Sequence, residues 1–394
     1  MIPKLRKKFN NEFTQKKYED FLEDLNSILK YPTDFRVSET PLFLSDEFKN
    51  ELIKACNELV KQIQTKEFKD KSQAAIPPGL AVPNETEHPV FLQIDFAVCK
   101  DEEGNYIPKL IELQGFPSLY GFQYFLAKKV EDHFDIPSDF TPYFSGLNSQ
   151  SYIQKLKDVM IGKTDPKNVI LLEIQPEKQK TRIDFAATEK LLGLNTVDIT
   201  KVIKKNDKLF YTDNGKEIRI ERIYNRVIFD ELIRTGINYS FDLTKPLDVK
   251  WIGHPNWFFK ISKHSLPSLT GKYVPKCFFI NQLKEIPEDL HNYVLKPLYS
   301  FAGLGVEVEL TKKKLNLIND KNNYILQEKI EYAPLIETPD GYSKVEIRMM
   351  ILWDDNPILV NNLVRMSKGK MMGVDFNKNK TWVGSNSAFH RVNS

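Results

Sequence analysis

The feature that most constrains this chain is a contrast between its middle and its end. In "NVILLEIQPEKQKTRIDFAATEKLLGL" a buried-strand run from Val169 to Ile174, apolar but for Glu173, meets a polar loop, and a helix-like pattern begins near Asp184. A short apolar run bounded by turn residues suits a strand buried on both faces, and strand–loop–helix is the building unit of α/β sheets. From Tyr273 onward the pattern changes. "YVPKCFFI", "YVLKPL", "VEVEL", "YILQEKI", "VEIRMMILW", "ILVNNLVRMS" and "MMGVDFN" all read as strands. The expected fold is therefore α+β with an α/β insertion.

The front of the chain adds helices and a hairpin. Ser45 to Phe68 reads as one helix, with Ser45 as cap and a stripe of Phe48, Leu52, Cys56, Leu59, Val60 and Ile63 at helical spacing. "VFLQIDFAVCKDEEGNYIPKLIELQGFPSLYGFQ" reads as strand, acidic turn at Glu103-Gly104-Asn105, and strand, followed by a helix from Leu119 to about Phe134. "HPNWFFKISKHSLPSL" suggests a helix up to Pro267. At 394 residues, the chain has room for two or three domains of ~150 residues each. The expected division is 1–150 carrying the hairpin, 151–250 as the α/β unit, and 251–394 as the strand-rich end.

Charge and cysteines narrow the partners. The 56 basic and 53 acidic residues leave a net charge of +3, which argues against a dedicated nucleic-acid binder. The start lacks the apolar core of a signal peptide, and "VILLEI" and "MMILW" are far too short to span a bilayer. Cys56, Cys99 and Cys277 lie far apart beside apolar residues, as core thiols of a reducing compartment do. A cytoplasmic protein, with neither nucleic acid nor membrane as partner, is expected.

The chemistry-bearing residues cluster late. In "NYVLKPLYSFAGLGVEVEL", Lys296 closes a strand and is followed by Ser300, Gly303 and Gly305. A glycine turn lets backbone N–H groups approach phosphate oxygens, and a lysine adds a point charge. A hairpin with a purely structural turn would look the same. Lys260 and Lys263 precede this segment, with Lys276 a third lysine before it. After it, the apolar strand of "YILQEKIEYAP" turns polar at Gln327, Glu328, Lys329 and Ile330, as a linker meeting an adenine edge would. Arg348 and Arg365 each stand alone in a strand-like run, a placement suited to bidentate grip of a phosphoryl or carboxylate group.

This ordered set resembles the ATP-grasp superfamily, and "YVLKP…YILQEKIE" is similar to eukaryotic-type glutathione synthetase, a circularly permuted member. The resemblance implies ATP and magnesium as cofactors, Lys263 and Lys296 as the phosphate lysines, and Arg348 and Arg365 at the transferred phosphate. It also implies metal ligands elsewhere in the chain, for which Asp95, Glu112 and Gln114 in "FLQIDFAV" and "LIELQGFPS" are the candidates. Glu112 and Gln114 occupy alternate positions, so both project from one face of a strand. Two departures stand out: Gln114 replaces the usual Asn, and Ser300 stands where the synthetases carry an acidic ligand. The activity implied is an ADP-forming carboxylate–amine ligase working through an acylphosphate. A small-molecule kinase on the same fold and a catalytically silent nucleotide-binding regulator are the alternatives. Substrate contacts are expected at Thr181 and Arg182, in the loop after the Val169 strand, and at Arg226 in "IYNRVIFDEL". A solvated loop, and a salt bridge from Arg226 to Asp230 or Asp184, are the plainer readings of the same residues.

Overall fold

A computed structural model describes residues 2–299, 305–369, 372 and 377–392. Ser300, Gly303 and most of "MMGVDFN" lie outside the described residues. Four helices matter for the site: α1 (Asp46–Gln64), α2 (Lys66–Ser72), α3 (Tyr120–His133) and α4 (Arg182–Leu192). The strands are β1 (Phe91–Lys100), β2 (Tyr106–Gln114), β3 (Val169–Glu173), β4 (Asn195–Asp198), β5 (Arg222–Asn225) and β6 (Lys250–Ile252). They continue with β7 (Cys277–Phe279), β8 (Tyr293–Pro297), β9 (Tyr324–Glu328), β10 (Ile336–Thr338), β11 (Gly341–Trp353), β12 (Pro357–Ser367) and β13 (Gly384–Asn386). Among the described residues no helix is long and apolar enough to cross a membrane.

Three sheets position the candidate residues. The largest runs β13-β12-β11-β1-β2, with β10 paired to β11. It joins the front hairpin to the last strands: β11 pairs antiparallel with β1 in a register that sets Arg348 opposite Asp95. Within the hairpin Asp95 lies opposite Glu112, at an irregularity in the ladder. The second sheet, β6-β5-β3-β4, is parallel throughout. Its strand β3 is apolar on both faces because both are covered. Ile170 and Leu172 pack into one cluster with Ile223 and Trp251, while Val169 and Leu171 pack into another with Tyr224 and Ile183. The third sheet, β7-β9-β8, carries a small cluster of its own around Leu295, Leu310, Leu315 and Leu326.

The local structure departs from the sequence pattern in three places. The expected helix from Ser45 to Phe68 is two helices. Thr65 adopts an extended conformation between them and accepts the N–H of Phe68 as the cap of α2. The helix expected up to Pro267 stops at Lys260; Ile261 is extended, and a 3-10 helix spans Lys263–Ser268. That break frees the Ile261 carbonyl to accept the Gly115 N–H at 2.9 Å. "VEVEL" is not a strand: only Glu307 pairs, exchanging both backbone bonds with Leu295. Of its side chains only Leu310 is buried, too little apolar cover to hold a ladder.

Candidate active site

The site begins where β1, β2, β11 and β12 lie side by side. Asp95, on β1, is 1% exposed. Arg348 grips it with two bonds, Nε to Oδ1 at 2.6 Å and Nη2 to Oδ2 at 2.7 Å. Arg365, one strand further on, donates from Nη2 to Oδ2 at 2.6 Å and also meets Glu346 Oε2 at 3.2 Å. Burial alone would raise the Asp95 carboxyl, but the two guanidinium groups outweigh it and hold it below its ordinary value. Glu346 is pushed up by burial, against the pull of Arg365. Burial lowers Arg365, yet Glu346, Asp95 and Glu112 together raise it above the usual value.

Next to this network stand two lysines and a carboxylate. Lys296 is 9% exposed and donates from Nζ to the Ile111 carbonyl at 3.2 Å. Lys263 lines a cavity together with Glu112, Gln114, Phe116, Phe258 and Tyr299. Burial lowers both lysines, and Glu112 is the leading charge that opposes it in each case. Two buried cations facing one carboxylate leave a net positive pocket, which suits a polyanion. Lys260 is engaged elsewhere, paired with Glu85 and set over the Trp257 ring, so Lys263 is the lysine of that segment that faces the cleft.

Close backbone packing keeps these parts in register. A Cβ on Gly115 would come within 2.4 Å of the Trp257 carbonyl oxygen. Only glycine lets the strand carrying Glu112 and Gln114 run this close to the segment carrying Lys263. Gly305, with φ +74, has the Pro297 ring against the position a Cβ would take.

The expected metal ligands divide into two groups. Glu112 and Gln114 share one face, and Gln114 Nε2 donates to Glu112 Oε1 at 2.9 Å. Asp95 has both oxygens on guanidinium groups. Among the described residues no group of three or more His, Cys, Asp or Glu side chains is placed to hold a metal.

In the linker, Gln327 is buried and reaches the Leu110 carbonyl at 3.4 Å, with no hydrogen-bond partner for Oε1 among the described residues. Glu328 accepts the Lys276 N–H at 3.2 Å, Lys329 turns its ammonium to the His291 carbonyl, and Ile330 packs against the core. Glu346 is a member of the network that sequence reasoning missed. Its signal was present, because it precedes Arg348 at an alternate position and so shares a strand face with it.

The residues suggested for substrate separate. Arg182 pairs with Asp34 at 2.7 Å and stacks over Tyr31. Arg226 is 6% exposed, lies between the Phe116 and Phe185 rings, and donates from Nη2 to Thr181 Oγ1 at 3.3 Å. Its acidic neighbour is Glu173, at 3.8 Å.

No protein-family model matches the chain, and no curated protein matches it. Among solved structures, 28 chains match. One is a glutathione synthetase-like effector from Globodera pallida in its apo form. It is 12% identical, with a TM-score of 0.59 over 96% of this chain and 96% of that one. The fold is glutathione synthetase-like. At that identity the likeness speaks for the fold alone, and the site's chemistry rests on the geometry above.

Proposed function

We propose that this protein is an ATP- and magnesium-dependent carboxylate–amine ligase on a circularly permuted ATP-grasp fold. The observation that carries the reading is the joining of β1 and β2 to β11 and β12, which gathers Asp95 and Glu112 with Lys296, Arg348 and Arg365. Lys263 and Lys296 hold the α- and β-phosphates of ATP, and by the resemblance the γ-phosphate is assigned to the glycine-bearing segment from Ser300 to Gly305. Gln327, Glu328, Lys329 and Ile330 border the adenine. Glu112 and Gln114 fit magnesium as oxygen donors, since that ion commonly takes one or two carboxylates and completes its shell with phosphate and water. Bound there, magnesium would neutralise charge on the phosphates. Asp95 is better suited to fixing Arg348 and Arg365.

The reaction has two steps. An oxygen of the carboxylate substrate attacks the γ-phosphorus, and the bond to the β-phosphate bridge breaks to give acylphosphate and ADP. The amine then attacks the acyl carbon, phosphate leaves, the amine loses its proton, and an amide forms. The chain's part is positioning and charge stabilisation. Arg365 is the better placed of the two arginines to meet the transferring phosphoryl group, because its side chain is 35% exposed against 8% for Arg348. Arg226, with Thr181, is assigned to the carboxylate substrate.

Two measurements test this reading. With a suitable acid and no amine, hydroxylamine should trap the acylphosphate as a hydroxamate, and adding the amine should replace trapping with amide and stoichiometric phosphate. AMP and pyrophosphate among the products would mean adenylation and remove the mechanism. Separately, Lys296→Ala should weaken ATP binding by about 1.5–3 kcal/mol, the contribution of a charge-assisted hydrogen bond. Unchanged ATP affinity in the folded variant would take Lys296 out of the phosphate site. The departures at Gln114 and Ser300 favour a second reading, a silent nucleotide-binding regulator. That protein would bind ATP yet release no ADP with any acid and amine in a screen of amino acids, dipeptides and polyamines.

A further inference from the structure

Strands β3 and β5 lie side by side, but the chain reaches them by opposite routes. From β3 it passes to β4 on one side, then returns to β5 on the other. The crevice beyond the carboxyl ends of β3 and β5 is thus the switch point of the parallel sheet, where open α/β sheets take their ligands. Leu172 is in register with Asn225, so Glu173 and Arg226 are the next pair beyond the ladder. They are 3% and 6% exposed.

As an ion pair the two are badly made. Arg226 Nε stands 3.8 Å from Glu173 Oε2, outside hydrogen-bond range. Arg226 Nε and Nη1 have no hydrogen-bond partner among the described residues. The same fold closes a bidentate contact between Arg348 and Asp95, so a buried arginine–carboxylate pair can be made here. Nor does Asp184, the other acid near Arg226, supply the missing bonds. Its oxygens accept the N–H groups of Leu119 and Phe122, each at 2.9 Å. Phe116 lies against the Arg226 guanidinium and also lines the Lys263–Glu112 cavity, so the same ring borders both places.

We propose that Glu173 is a specificity residue that carries a proton when the crevice is filled, leaving Arg226 to a ligand carboxylate that reaches it past Phe116. The inference rests on the assignment of Arg226 to the carboxylate substrate and adds what selects for charge there. Burial pushes Glu173 up to about 8 despite the pull of Arg226, and Glu231 and Asp198 push the same way. Glu173 Oε1 accepts the Ile174 N–H at 2.8 Å, which leaves Oε2 for the proton. With Glu173 neutral, the crevice presents a guanidinium, the Thr181 hydroxyl and a carboxylic acid O–H, a donor set that favours anions over amines. With Glu173 ionised, its charge joins that of Asp184 against Arg226, and the attraction for an anion is lost.

The test uses the full chain with 15N-labelled arginine and no ATP. Acetate, succinate and glutamate are titrated separately while the Arg226 Nε resonance, assigned with Arg226→Lys, is followed. At least one carboxylate should bind near neutral pH and weaken about tenfold per pH unit above the Glu173 titration. Glu173→Gln should keep the affinity and lose the pH dependence, and Arg226→Met, titrated by calorimetry because it lacks the reporting Nε, should not bind. If Arg226→Met fails to fold, the wild-type and Glu173→Gln comparison decides alone. Equal wild-type affinity across that range would overturn the proposal. So would pH dependence surviving in Glu173→Gln, or no response to any of the three carboxylates. Loss of ATP turnover with this binding intact would count against the ligase and leave Glu173 in place; the converse would do the reverse.

Discussion

Arg348→Met should be the most destabilising single change in the site, with a loss of about 3–5 kcal/mol in denaturant unfolding, the usual cost of stranding a buried charge. Asp95 is almost wholly enclosed, and Arg348 supplies two of the three guanidinium bonds that satisfy it. Arg365 cannot replace them, because it is also committed to Glu346. The sign with pH follows from the same contacts. Asp95 has a folded-state value below its ordinary one, so its ionised form stabilises the fold above the unfolded value of 3.8. That stability is lost as pH falls through the lowered value. Without Arg348, burial dominates and the Asp95 carboxyl should rise, so the deficit of the variant should shrink as the medium becomes acidic. Adding Asp95→Asn to Arg348→Met should recover part of the loss, since a neutral amide no longer needs a counter-charge. Identical unfolding midpoints for wild type and Arg348→Met would show that the network does not hold the central sheet.

Much of this network could be read from the sequence, but its pairings could not. Apolar runs bounded by turns mark β1, β2, β11 and β12 as strands, Arg348 and Arg365 stand out as lone arginines in such runs, and the resemblance puts Asp95 forward as a metal ligand. Periodicity reports the faces of a strand and says nothing about its neighbours, so the pairing of β11 with β1 is invisible locally. The ATP-grasp resemblance supplied the expectation that the front hairpin belongs with the last strands, and the sheet does join them. Where patterns were weak, local bonds decided. Thr65 leaves the helix to cap the next one, and Ile261 leaves it to pair with Gly115. The value of Glu173 was hidden for a different reason. The sequence pattern only places it inside a buried strand, and its burial beside an under-bonded arginine is what gives it a role.

Glu112→Ala should abolish turnover with magnesium on the proposed reading, while leaving a folded protein, because Glu112 is half-buried at the cleft wall and carries no bidentate ion pair among the described residues. Two effects are combined in this residue, and they can be separated. As a metal ligand, Glu112 would hold the ion that neutralises the phosphates, and losing it should weaken binding of Mg·ATP more than binding of metal-free ATP. As a counter-charge, it offsets the burial of Lys263 and Lys296, so its removal should drive both lysines further down and make them depend on phosphate for their charge. Calorimetric titration of ATP into wild type and variant, with magnesium and with chelator, distinguishes the two. A selective loss of Mg·ATP places the metal on Glu112. An equal loss in both media would mean that Glu112 acts through the lysines alone. Turnover at the wild-type rate in the folded variant would remove the front hairpin from catalysis, and with it the permuted site, because Glu112 is the one carboxylate from that hairpin that faces both lysines without being spent on an arginine.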